Sequence, residues 1–252
     1  MVKAYPQSSA KYEETVCCAA ISPEGELLRL YPIRYRKLKP EQQFGRFDLV
    51  EIHMEKSPTD PRPESYKVSE DSIKVIHSGK KASTESKASL WKPLVCASLS
   101  SLKEAQQQSQ KSLGIIRPDL GTLKFSYSGL EEQSADDAEF QASLYDQACL
   151  FEKSLTPLER PEFAFYYSFK SGGKSHKMQL HDWEVQETYR QYKQHYGGQA
   201  QALKMMQEFY GQDLLDFDPH FIMGNMMRSQ KQFMIIGILR SSQQKASQMG
   251  LF

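Results

Sequence analysis

The chain has 252 residues, with 32 Lys and Arg against 31 Asp and Glu and a formal charge of +1. An apolar fraction of 39% suffices for a packed core and excludes a wholly disordered chain. The even balance of charge excludes a function resting on global basicity, so any polyanion surface must come from charge segregated within the fold.

The length fits one large domain or two small ones. The longest apolar run, Phe233–Leu239, falls far short of the roughly 20 residues of a membrane helix. No apolar leader follows Met1, so no membrane association and a cytoplasmic setting are expected. Cys17, Cys18, Cys96 and Cys149 lack metal-type C-x-x-C spacing and are too sparse for a disulfide scaffold. They read as small buried apolar side chains in a reducing compartment.

Thr15–Ile21 is small and apolar on both parities, the pattern of a strand covered on both faces. After the turn Pro23-Glu24-Gly25, Leu28 and Leu30 alternate with Arg29 and Tyr31. Pro40–Phe44 suits one helical turn, and Val50, Ile52 and Met54 then alternate, followed by Ile73 and Val75. The Ser- and Lys-rich stretch 78–92 reads as a linker. Ser100 and Ser101 are expected to cap a solvated helix reaching about Lys111.

Leu123, Phe125 and Tyr127 alternate, and an acidic run follows with nine acids and two bases over 130–162. Within it, Ala138, Ala142, Tyr145 and Cys149 repeat at helical spacing. Phe163, Phe165, Tyr167 and Phe169 share one strand face, and Gly172-Gly173 turns the chain into a return strand with Met178 and Leu180. Asp182 stands at a helix N-cap position before Val185, Tyr189, Tyr192 and Tyr196. A second helix carries Ala202, Leu203, Met206 and Tyr210, and two strands are expected around Phe221–Met223 and Phe233–Leu239. Three strands, helices, then two strands is the order of an OB barrel.

The stretch Leu27–Pro40 holds Arg29, Arg34, Arg36, Lys37 and Lys39, no acid, and Tyr31 and Tyr35. Bases interleaved with aromatics suit a single-stranded nucleic acid, with cations on phosphates and rings on bases. On a strand, Arg34 and Arg36 would project from one face. The competing reading makes the tyrosines core and pairs the arginines with Asp60 or Glu64. In Asp60-Pro61-Arg62-Pro63-Glu64-Ser65, two prolines stiffen a turn whose Arg62 is expected mainly in an ion pair that fixes a loop. His176, His181, Asp182 and Glu184 form the densest set of metal-type ligands, but the two histidines have opposite strand parity and no metal site is expected. No catalytic or phosphate-loop motif is present, and no cofactor is implied.

Several segments resemble a family of prokaryotic proteins described as dual-OB-containing domains: Lys3–Ala19, Arg29–Arg36, Asp60–Tyr66, Ser112–Pro118, Phe165–Phe169, His176–Arg190 and Phe221–Asn225 with Phe233–Gly237. The resemblance implies two OB-like barrels and a role in sensing invading DNA or RNA. It supplies no catalytic residue. The expected fold is α+β: two OB-like small β-barrels packed together, with a helical insert in the second. The divisions are 1–80, a linker and helix over 81–118, 119–240 and a tail over 241–252. The expected function is a non-catalytic nucleic-acid-binding module of a prokaryotic defence system, its partner single-stranded DNA or RNA. Its contacts would be Tyr31, Arg34, Tyr35, Arg36, Lys37, Arg62 and Arg117. The alternatives are an adaptor that docks a protein from the same operon through the acidic run, and an enzyme on nucleotides or nucleic acid using Glu64, His176 or Asp182.

Overall fold

The computed structural model describes residues 2–9, 12–130, 155 and 158–242. They form a mixed α+β fold in which no sheet closes into a barrel. The helix expected around Ala138–Cys149 lies outside the described residues, as do positions 243–252 of the expected tail. Ser241 and Ser242 are not tail but the end of the last strand.

The first half carries strands β1 (Val2–Lys3), β2 (Gln7–Ser9), β3 (Glu13–Ile21), β4 (Leu27–Ile33), β5 (Leu49–Glu51), β6 (Met54–Lys56), β7 (Ser65–Val68) and β8 (Lys74–His77). The main sheet runs β1-β3-β4-β7-β6 with β2 also on β3, while β5 and β8 form a separate ribbon. The alternation expected through Val50–Met54 is therefore broken in two, because β5 pairs with β8 and β6 with β7. Val16, Cys18 and Ala20 of β3 enter a core with Leu30, Ile33, Phe44 and Ile73. Ala19 faces the opposite way, into a second core. This is why β3 is apolar on both parities.

The second half carries α1 (Thr84–Trp91), β9 (Val95–Cys96), α2 (Leu99–Ser109), β10 (Leu113–Ile116), β11 (Lys124–Gly129), β12 (Phe163–Ser171), β13 (Lys174–Gln179), α3 (Trp183–His195), α4 (Gln199–Gly211), β14 (Phe217–Met226) and β15 (Ser229–Ser242). One sheet runs β15-β14-β10-β9 and another is the meander β11-β12-β13. A parallel bridge between Leu180 and Ile235 joins the end of β13 to β15. Gly172 and Gly173 take φ of 57° and 77°, the left-handed pair that a tight two-residue hairpin needs. The inward aromatics of β12 meet Phe125, Val185, Tyr189, Met206 and Phe221 in the largest core.

The stretch 78–92 is not a linker. Ser83 caps α1 by accepting the Ser86 N–H, and Ala88 and Trp91 are buried against Leu113, Ile115, Ile222 and Leu239. Two apolar side chains three apart hold the helix, while its serines face water and Lys87 is half-buried, so composition alone reads as loop. Ser98, one turn earlier than expected, caps α2 through the Ser101 N–H. The core around Trp91 also takes Val2 and Ala19, so it is built from both halves and joins them. No helix among the described residues is long and apolar enough to cross a membrane.

Candidate nucleic-acid interface

Four of the seven residues expected to bind nucleic acid, Arg34, Tyr35, Arg36 and Lys37, lie at one bend after β4, and Tyr31 lies within β4 just before it. Tyr31 is exposed, its hydroxyl oxygen accepting from Thr15 Oγ1 at 3.3 Å. Residues Tyr35–Lys37 form a 3-10 turn, not a strand extension, so Arg34 and Arg36 do not share a strand face. Each finds a different carboxylate. Arg34 Nε donates to Glu70 at 2.8 Å, Arg36 Nε to Glu14 at 3.1 Å and Lys37 Nζ to Glu13 at 2.6 Å. These partners are neither Asp60 nor Glu64. Tyr35 packs edge-on against Phe44 and Trp183 and donates its hydroxyl to the Phe44 carbonyl at 2.6 Å.

Arg62 is remote from this bend and 7% exposed. It donates to Asp60 at 2.5 and 2.8 Å and to the Asn225 carbonyl and Oδ1 at 2.7 and 3.0 Å. The two-proline loop thus forms the expected ion pair, and its purpose is to tie the halves together. Glu64 does the same, accepting from Ser112 N and Oγ at 2.9 Å, while Arg29 donates to the Ser112 carbonyl at 3.1 Å. Arg117 stands half exposed beside Asp218 at 2.7 Å.

Burial by itself would raise the Asp60 carboxyl, but hydrogen bonds from Arg62 and Ser65 outweigh it and hold the group down at about 2. A carboxylate with a lowered native pKa adds stability above its unfolded value that is lost as pH falls through the native one. Acid unfolding is therefore expected to draw on Asp60 between about pH 4 and pH 2. Denaturation curves taken down that range should show this component in the wild type and not in Asp60→Asn.

Asp182 is 1% exposed and does the expected capping, accepting the Glu184 N–H at 3.0 Å. It also pairs with Arg46 at 2.8 Å, and Arg46 continues to the Ile238 carbonyl at 2.5 Å. Capping alone would put Asp182→Ala at roughly 0.5–2 kcal/mol. Breaking a buried pair raises the expected loss to about 3 kcal/mol. A thermal melt checks this, and a loss under about 1 kcal/mol would count against the pair. Among the described residues, no three His, Cys, Asp or Glu side chains gather as metal ligands. Among the described cysteines, Cys17 and Cys96 are half-buried and Cys18 is fully enclosed, with burial pushing its thiol up to about 12, while Cys149 lies outside the described residues.

A cluster of basic side chains lies elsewhere, on the outer face of the meander β11-β12-β13. Lys124, Lys170 and Lys177 lie on this face, Lys174 starts β13 opposite buried Ser171, and the three strands contain no Asp or Glu. The register places Lys124, Ser168 and Lys177 in one row and Ser126, Tyr166 and Gln179 in the next, with Lys170 opposite Ser175 beyond. Lys124 and Lys177 are thus two strand spacings apart, roughly 10 Å. Lys177 Nζ lies 5.1 Å from the Tyr166 ring centroid, and none of the four lysines has an ion-pair partner among the described residues. The signal was in the sequence: Lys124 and Lys170 have the parity opposite to Phe125, Phe165, Tyr167 and Phe169, and Lys177 the parity opposite to Met178 and Leu180.

Residues 1–93 match a Domain of unknown function (DUF8758) and residues 95–252 a Domain of unknown function (DUF8757). The division falls in the 3-10 turn Lys92–Leu94, directly after Trp91. No curated protein and no solved structure matches the chain. With its second region spanning well over half of the sequence, the chain belongs to the DUF8757 family and carries a DUF8758 region ahead of it.

Proposed function

We propose that this chain is a nucleic-acid-binding module without catalysis of its own, and that a single strand lies on the outer face of β11-β12-β13. The observation that carries this reading is the cluster of serines and of lysines without an ion pair among the described residues, around Tyr166 on three strands free of Asp and Glu. Lysine ammonium groups are point charges for phosphates, and the tyrosine ring stacks on a base whatever its sequence. The second half also supports an OB-like reading: its strands run β11-β12-β13, then β15 through the parallel bridge, then β14, with α3 and α4 inserted before β14. OB folds bind oligonucleotides on the face of their second and third strands. Kinship with the dual-OB family, including an OB-like first half, and a defence role in sensing foreign DNA or RNA belong to the same proposal.

In this reading Arg34, Arg36, Lys37 and Arg62 act through the fold, because each is already held by a carboxylate. The adaptor alternative rests on the acidic run, most of which lies outside the described residues. The test is a fluorescence-anisotropy titration with single-stranded DNA, duplex DNA and RNA at three salt concentrations. Tightest binding to a single strand, weakening steeply with salt, is the expected result. No binding to any of the three at low salt by folded protein would end the proposal.

A further inference from the structure

A cleft of about 640 Å³ opens where β1 and the Arg34–Lys37 bend of the first half face α3 and residues 158–162 of the second. That volume lies in the range of small-ligand pockets. Four aromatic side chains stand in its walls. Tyr35 and Trp183 stand edge-to-face at 5.6 Å, and Tyr5 and Tyr189 join them among mostly charged lining residues. The indole N–H of Trp183 makes no hydrogen bond among the described residues and is not among the buried unpaired groups, so it is available to a ligand.

The charges of the cleft divide into committed and free. Glu162 is held by Lys193 and the Tyr189 hydroxyl, Glu187 by Arg190, and Glu184 by Arg46. Among the described residues, Arg160 makes no ion pair, and neither does Lys3, whose ammonium donates to the Phe44 carbonyl at 3.1 Å and lies 4.4 Å from the Tyr35 ring centroid. Among the described residues, Glu159 is the one lining acid without an ion pair. Two free cations against one free acid favour an anion, and the aromatic side chains favour a flat ring beside it.

We propose that this cleft binds a nucleoside monophosphate, with the base against Trp183 and Tyr35 and the phosphate on Arg160 and Lys3. The same chemistry is offered by a free mononucleotide and by the phosphorylated end of a strand. The proposal stands apart from the sheet-face reading, since a free nucleotide needs only the cleft. Both halves contribute walls, so the ligand would bridge the DUF8758 and DUF8757 regions.

The chain has two tryptophans, and Trp91 is fully buried, so quenching of the accessible indole reports the cleft. Intrinsic fluorescence is titrated with AMP, GMP, CMP and UMP, with adenosine, with inorganic phosphate, and with a short oligonucleotide with and without a 5′-phosphate. The expected result is saturable quenching by at least one monophosphate, about tenfold or more weaker with adenosine or phosphate alone. Arg160→Ala, at an exposed site, should weaken it about tenfold. Trp183→Phe should remove the signal while calorimetry still detects reduced binding. A phosphorylated oligonucleotide that binds with the same dependence on Arg160, when the free nucleotides do not, assigns the cleft to strand ends. Replacing Lys124, Lys170 and Lys177 together should leave mononucleotide affinity unchanged, which separates failure of the cleft from failure of the sheet face. Absence of quenching and calorimetric heat with every probe at millimolar concentration, in folded protein, overturns the proposal. Binding indifferent to both Arg160→Ala and Trp183→Phe overturns it equally.

Discussion

Replacing Lys124, Lys170 and Lys177 by alanine is expected to flatten the salt dependence of single-strand binding by about 2 in slope. Each phosphate contact on a single strand contributes about 0.7 to that slope through released counterions, and three contacts are removed. All three lysines are exposed, and exposed substitutions away from special features shift stability by about 0.5 kcal/mol or less. A loss of binding at unchanged melting temperature therefore belongs to the interface and not to the fold. Tyr166→Ala should cost about 1–3 kcal/mol of affinity if its ring stacks on a base, with no change in slope. The comparison is the double variant Arg34→Ala with Arg36→Ala. Its side chains hold Glu70 and Glu14, so it should lower thermal stability and move the slope less than the lysine variant does. If the arginine pair flattens the slope and the lysines do not, the bend after β4 is the binding surface and the sheet-face reading fails.

The second large effect is expected at Arg62, in stability. Its guanidinium is almost fully enclosed and joins Asp60 in the first half to Asn225 in the second. Arg62→Ala takes the guanidinium from the Asp60 carboxylate, which keeps only the Ser65 hydroxyl and the backbone N–H of residue 62, and from the Asn225 carbonyl and side-chain oxygen. Removing one member of a buried pair costs about 3–5 kcal/mol. For a chain of this length each kcal/mol moves the melting temperature by about 2–4 °C, so a drop of roughly 10 °C follows. Arg62→Lys should recover only part of it, since one ammonium cannot reproduce the fork that meets both carboxylate oxygens. A melting temperature within 2 °C of wild type in Arg62→Ala would mean that the interface does not rely on this tie.

Those two sites differ in how legible they were. Arg62 sits between two prolines, so the sequence alone pointed to an ion pair that fixes this loop, and its partner Asp60 is only two residues away. Asp182 was legible for a similar reason: a cap is a local device, two residues from the N–H it accepts. The helices α3 and α4 and the hairpin β12-β13 were readable because their periodicity extends over nine or more apolar-patterned positions. The partners of Arg34 and Arg36 were not readable, because Glu70 and Glu14 stand 36 and 22 residues away in the chain. A basic stretch free of nearby acids looks unpaired in sequence even when folding brings acids to it. The helix α1 was misread because Ala88 and Trp91 alone anchor it.

What the sequence determined by itself was an α+β chain with a strand–helix–strand second half, an inward aromatic face on β12 and a cap at Asp182. Tertiary structure alone decided which cations remain without acids and where they gather. Each strand of the meander brings only one or two lysines, and only the cross-strand register sets Lys124, Ser168 and Lys177 in a row. The cleft is more distant still from any local signal, since Lys3 and Tyr35 meet Arg160 and Trp183 across more than 100 residues of chain. Secondary structure follows short-range periodicity, whereas a binding surface is set by pairings between distant segments. Those pairings depend on which long-range burial the whole core favours.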